Sequence, residues 1–231
     1  LLTLWLVGAM RAWMPIAAGL GQAATEARYE AIAADAWKAT EGAQLYRGED
    51  CRHVRENATK ACPKGEACHQ WAEAEEQECR VDSARLKSAL VLLSVARYES
   101  DYRADVDDGR RRGDGGKSWC LAQVLFPEDG FHRSLVVEGG TYRWSKDPTE
   151  GWRGRDLVDD RVKCFSAALA IAGESLRTCG NLSMYTSGRC SAKEKKAQVR
   201  ETPAKVWWAK NPKSSLYPEP EPIPGLGALL V

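Results

Sequence analysis

A chain of 231 residues with 33 basic and 32 acidic side chains and a formal net charge of +1 can hold one sizeable core with appendages or two small domains. Its ordinary apolar fraction excludes global disorder. Near-neutrality also excludes nucleic acid as a partner, because phosphate recognition needs a basic stripe. The basic run Lys193-Glu194-Lys195-Lys196 carries its own acid and reads as a solvated face.

In chain order, Leu1 to Met10 is an apolar run of signal-peptide length, too short to span a bilayer. Arg11 interrupts it, and a second apolar stretch, Ala12 to Leu20, ends in the mostly small residues Gly21 to Ala24. Residues 1–24 therefore read as a signal-like or anchoring segment, through which membrane or envelope association is possible. A buried amphipathic helix is the alternative. Residues 25–40 read as a helix with Tyr29, Ile32, Ala33 and Trp37 near helical spacing, packing on the domain that follows.

Eight cysteines with no Cys-x-x-Cys pair point to disulfides and an oxidising compartment. They form two quartets: Cys51, Cys62, Cys68 and Cys79, then Cys120, Cys164, Cys179 and Cys190. The first quartet has equal eleven-residue steps on either side of Pro63-Lys64-Gly65-Glu66. Eleven residues is close to three helical turns, so nested bridges Cys51 to Cys79 and Cys62 to Cys68 would staple a helical hairpin over 41–80. Four cysteines allow three pairings, so spacing alone fixes neither quartet. A zinc site with His53 or His69 is the rival, although structural zinc sites usually draw ligands from closer pairs.

Val81-Asp82-Ser83 reads as a fresh helix start with Asp82 or Ser83 as the cap, opening a main domain over 81–200. Leu86, Ala89, Leu90, Leu93, Val95 and Ala96 cover more than one face, so this helix should be buried nearly all round, delivering Glu99 at its carboxyl end. Asp101 to Lys117 reads as a polar surface loop. Ser134 to Ser145 reads as a hairpin around Gly139-Gly140. A second strong helix begins near Asp156, with Val158, Val162, Phe165, Leu169, Ala172 and Leu176 in one stripe and Gly180 placed to end it. A short helix or turn follows around Asn181 to Ser187. Residues 201–231 read as a Pro-rich tail that docks or stays extended.

Three separated pieces carry a family resemblance. Ser94-Val95-Ala96-Arg97-Tyr98-Glu99-Ser100 resembles the helix end plus Glu-Ser of soluble lytic transglycosylase domains, relatives of goose-type lysozyme. Cys120-Leu121-Ala122-Gln123-Val124 stands where that family carries Gly-Leu-Met-Gln-Ile, and Met184-Tyr185-Thr186-Ser187-Gly188 is similar to its Ala-Tyr-Asn-Ala-Gly. Gly113 to Cys120 and Gly151 to Leu157 resemble a disulfide-bearing bacterial and phage branch. The resemblance spans roughly 83 to 190, with a weaker echo in the 28 to 38 helix, and leaves out the cysteine hairpin and the tail. Cys120 for Gly, Ala122 for Met, and Thr186 and Ser187 for Asn and Ala depart from the pattern. They bear on which sugars fit and leave Glu99 untouched.

The resemblance implies a mainly α, lysozyme-like helical domain with a small β-hairpin, stapled by disulfides, acting on peptidoglycan glycan strands in a secreted, periplasmic or virion-associated setting. Glu99 would be the catalytic acid, its pKa lifted by partial burial at the helix end. A lytic transglycosylase uses the substrate's own C6 hydroxyl and leaves a 1,6-anhydro sugar, so the same glutamate serves as acid and then base, with no metal or cofactor. Ser100, Gln123 and Tyr185 would bind substrate or orient the glutamate. Trp119 is the candidate for sugar stacking, or else a packing residue beside the Cys120 bridge. A hydrolytic route needs a second carboxylate, for which Asp101, Asp105, Asp107, Asp108 and Asp114 are the candidates. A non-catalytic wall-binding or structural module is the alternative of a different class.

Overall fold

The computed structural model of the chain describes residues 2–13, 22–62, 65–127, 133–191 and 193–210. The second apolar stretch beyond Trp13, the Pro63-Lys64 part of the hairpin turn and the proline-rich segment from Asn211 onward lie outside them. The fold is mainly helical, with two small antiparallel hairpins and four disulfides, the class expected from the sequence.

Its axis is α4, Glu66–Ser100. The carboxyl-terminal half, from Leu86 through Ala96, is buried because almost every non-charged position there is small or aliphatic. Around it pack α1 (Leu2–Trp13), α2 (Gln22–Ala39), α7 (Arg161–Cys179) and α9 (Lys195–Lys210). Leu6 and Met10, Ile32 and Ala36, and Phe165 and Ala168 join Leu90 and Leu93 in one core. Residues 2–13 form a helix whose Leu6, Val7, Ala9 and Met10 are buried. No helix among the described residues is long and apolar enough to cross a membrane.

The cysteine hairpin is α3 (Arg52–Ala61) folded against the first half of α4, with Cys51 bonded to Cys79 and Cys62 to Cys68. This is the nested pairing its spacing suggested. The expected helix start at Asp82 or Ser83 is corrected, because α4 runs unbroken through both. Ser83 is no cap. Its hydroxyl donates to the Arg80 carbonyl and accepts from the Glu49 amide at 2.9 Å, just as Ser88 bonds the Ala84 carbonyl and the Leu45 amide. These two serines string the 41–50 segment along α4, and Gly48 sits so close that a Cβ there would meet the Arg80 carbonyl oxygen at 2.2 Å. The 80/81 boundary therefore falls inside a continuous helix.

After α4 the polar stretch holds a single turn, α5 (Ala104–Asp107), and a 3-10 turn over Asp114–Gly116. Strands β1 (Ser118–Trp119) and β2 (Val124–Leu125) form a minimal hairpin. The hairpin expected over Ser134 to Ser145 is β3 (Ser134–Glu138) with β4 (Thr141–Ser145), in register from Ser134 opposite Ser145 to Glu138 opposite Thr141. Gly139 and Gly140 have φ of 54° and 75°, as a tight turn of this hand demands. The helix expected from Asp156 is divided into α6 (Gly154–Asp159) and α7. Asp160 breaks it, since its side chain accepts from the Val162 and Lys163 amides and so starts a new helix. Gly180, at φ 70°, ends α7 as expected. The Cys179–Cys190 bridge then closes a loop over α8 (Ser183–Ser187).

The tail boundary is also corrected. Helix α9 passes through Thr202 and Pro203 and ends at Lys210. Pro203 forfeits one backbone hydrogen bond, but Ala197, Arg200, Glu201 and Ala204 form a buried stripe that holds the helix down.

Candidate active site around Glu99

Glu99 occupies the last turn of α4, which ends because Asp101 adopts a left-handed conformation, φ 52°, followed by Tyr102 at the same angle. The turn is held from two sides. The Tyr102 hydroxyl donates to the Leu93 carbonyl at 2.7 Å, and Arg28 of α2 donates to the Tyr102 carbonyl at 2.9 Å. Arg28 also pairs with Asp107 at 3.0 Å. Asp107 pairs in turn with Arg161 at 3.2 Å, and Arg161 with Asp35 at 2.6 Å. This network joins α2, α5 and α7 beneath the helix end and fixes where Glu99 projects.

The Glu99 side chain is 19% exposed. Burial raises its pKa above the ordinary carboxylate range, against the Arg200 guanidinium, which lowers it; Asp114 adds to the rise and Lys196 opposes it. Arg200 of α9, itself buried, places Nε 2.8 Å and Nη2 2.7 Å from the same oxygen, Oε1. Its Nη1 donates to the Lys196 carbonyl at 2.8 Å, so the guanidinium is anchored to its own helix. Oε2 accepts no hydrogen bond among the described residues and is not sealed from solvent.

The neighbouring residue on α9, Glu201, accepts from the Leu182 amide at 2.8 Å, while Asn181 accepts from the Ser183 amide at 2.8 Å. Both serve the start of α8, which carries Tyr185. The Tyr185 hydroxyl donates to the Ala122 carbonyl at 2.6 Å. Burial, with a smaller push from the Glu99 charge, holds this phenol far above its usual pKa, so it stays protonated. Tyr185 is thus close enough to Glu99 to feel its charge, but its hydroxyl is committed to the backbone of the 120–123 turn.

Gln123 belongs to that turn, at φ 49°. Its amide donates to the Cys120 carbonyl at 2.9 Å, and its Oε1 lies where a Cβ on Gly113 would come within 2.3 Å. It braces the turn against the Gly113 backbone. The Ser100 hydroxyl is buried and donates to the Ala96 carbonyl at 2.8 Å, inside its own helix. Trp119 packs against Gly154, where a Cβ would meet its indole at 2.3 Å, and Arg112 stands 4.3 Å from its ring centroid. Both contacts compete with a sugar for that indole. Of the residues read from the sequence, Glu99 and Tyr185 share one electrostatic environment, while Ser100 and Gln123 are bonded within their own helix and turn and Trp119 packs on Gly154. Arg200 was missed, because an arginine and a glutamate inside a buried helical stripe defeat a search for apolar periodicity.

The candidate second carboxylates separate cleanly. Asp101 pairs with Arg97, Asp105 with Arg103, Asp108 with Arg110, and Asp107 lies in the network described above. Asp114 accepts from the Ser118 hydroxyl and is the one whose charge bears on Glu99. Beside it opens a groove of about 440 Å³ lined by Asp114, Lys117, Leu125, Phe126 and Pro127. All eight cysteines are in disulfides, so none is a free thiolate for zinc. Among the described residues no group of His, Cys, Asp or Glu is placed to hold a metal. No protein-family model, curated protein or solved structure matches the chain.

Proposed function

We propose that the chain is a muralytic enzyme related to soluble lytic transglycosylases, cleaving the MurNAc-GlcNAc β-1,4 bond of peptidoglycan with Glu99 as its acid and base. The observation that carries this reading is the state of Glu99: a carboxyl at the end of a buried helix, raised in pKa, with one oxygen held and the other open. Such a group holds its proton to higher pH than an ordinary glutamate and still reaches a ligand. In the first half of the reaction the Glu99 proton passes to the glycosidic oxygen as the C1–O bond breaks. In the second, the MurNAc C6 hydroxyl bonds to C1 and its proton passes to the Glu99 carboxylate, giving a 1,6-anhydro end and restoring the acid. No water is consumed. That four of the five candidate second carboxylates are engaged with arginines favours this route. Asp114 supports a second reading, lysozyme-type hydrolysis, in which it would activate a water. The four disulfides are compatible with an oxidising compartment, and the same reading puts the enzyme in the periplasm, outside the cell or on a virion.

The test is mass analysis of muropeptides released from purified peptidoglycan by the oxidised protein, beside Glu99→Gln. Anhydromuramyl ends that disappear in the variant are expected. Reducing ends would move the assignment to a hydrolase with Asp114. No release by a folded, oxidised sample would sink the enzyme reading and leave a wall-binding module.

A further inference from the structure

We infer that Arg200 is the positioning residue of the Glu99 acid, fixing Oε1 so that Oε2 is the oxygen that exchanges protons with substrate. This rests on the proposed muralytic reading of Glu99.

The geometry of the pair is unlike an ordinary surface ion pair. An arginine facing a carboxylate end-on usually spreads two N–H groups over two oxygens. Here Nε and Nη2 both fall on Oε1, at 2.8 and 2.7 Å, and the remaining Nη1 is taken by the Lys196 carbonyl. The Nη1 bond to the Lys196 carbonyl ties the guanidinium to its own helix. Arg200 is 8% exposed, so its charge is not there for solubility, and it sits one residue from Glu201, which holds the start of α8. Two adjacent side chains of α9 therefore hold the Glu99 carboxyl and the start of α8, the helix that carries Tyr185. The charged and titratable groups facing Glu99 are Arg200 and Lys196 from α9, Asp114 from the 3-10 turn and Tyr185 from α8. Arg200 is the one in direct contact. A carboxyl held through one oxygen keeps a fixed rotamer while its other oxygen gains and loses the proton, which an acid that must also act as base requires.

Two variants separate position from charge. Arg200→Gln removes the cation that favours the carboxylate, so Glu99 should stay protonated to higher pH. The alkaline limb of the rate profile is expected to move up by about one pH unit or more. Arg200→Lys keeps the charge but offers a single point donor. Its limb should stay near that of the parent, with the rate at the optimum down about tenfold or more. An unmoved limb in Arg200→Gln, or full rate in Arg200→Lys, overturns the inference and leaves Arg200 a structural ion. Should Arg200→Gln fail to fold, the Arg200→Lys rate decides. The Glu99 carboxyl carbon, assigned by its loss in Glu99→Gln, is followed by NMR titration in parallel. If the parent protein releases nothing from peptidoglycan, the enzyme reading fails on its own. The carbon titration then judges the Arg200 contact: an unchanged midpoint in Arg200→Gln overturns it, and a raised midpoint in that variant, with Arg200→Lys near the parent, sustains it.

Discussion

The hydroxyl of Tyr185 donates to the carbonyl of Ala122 at 2.6 Å, tying α8 to the turn that carries Cys120 and Gln123. Because this is a backbone tie, the tyrosine works mainly by holding the 120–123 turn against α8. Tyr185→Phe should cost about 1 to 2 kcal/mol, since it leaves the buried Ala122 carbonyl without its donor. Activity should fall modestly and in step with thermal stability. A loss of several orders of magnitude with an unchanged melting temperature would instead assign the hydroxyl to the reaction.

The 120–123 turn makes a second prediction. Cys120 has φ 59°, left-handed backbone that favours glycine, the residue the transglycosylase pattern carries there. Cys120 tolerates it because the bridge to Cys164 spans 44 residues and restricts the unfolded chain. By chain entropy that is roughly 4 kcal/mol. Cys120→Ser with Cys164→Ser should lose about that much in urea unfolding. Cys120→Gly with Cys164→Ser should recover about 1 kcal/mol of it by relieving the strained conformation. Equal stability of the two double variants would show that the turn relaxes once the bridge is gone.

Beneath the Glu99 turn, Asp107 is 9% exposed and flanked by Arg28 and Arg161. Asp107→Ala leaves two half-buried cations facing each other, and should destabilise the fold by about 3 kcal/mol. Arg28 would keep its bond to the Tyr102 carbonyl, so the variant should still fold in the cold and unfold on warming before the parent does. A variant as stable as the parent would show the network to be solvated.

How much of this was legible in the sequence depended on whether burial was achieved with apolar side chains. The Leu86 to Ala96 run, the Phe165, Leu169 and Ala172 stripe, the Gly139-Gly140 turn and the nested cysteine hairpin all announce themselves, because periodicity and spacing are direct traces of packing. Glu99 was legible as a carboxylate at the end of such a run. Helix α9 was not: its buried face is Ala197, Arg200, Glu201 and Ala204, while Val199 and Val206 are exposed at 42% and 44%. Hydropathy reads that helix inside out, and Pro203 adds a false stop. The start of α4 was missed for a related reason. Ser83 looks like a cap, but its hydroxyl ties down the distant 41–50 segment, a tertiary partner that local sequence does not disclose.

The raised pKa of Glu99 also sets a dependence of stability on pH. Its folded-state pKa lies above the value for the unfolded chain, mainly through burial. Between those two values the folded protein therefore binds more protons than the unfolded one, so the contribution of Glu99 to stability falls as pH rises through that window and is constant below it. Glutamine at this position resembles the protonated acid and does not titrate. The melting temperature of Glu99→Gln relative to the parent should accordingly rise as pH is taken from the ordinary glutamate range toward neutrality, then level off once the parent carboxyl is fully ionised. A melting difference that moves the other way would mean that the Arg200 contact outweighs burial and that Glu99 rests as a carboxylate at low pH. A proton donor working near neutral pH would then have to be sought elsewhere.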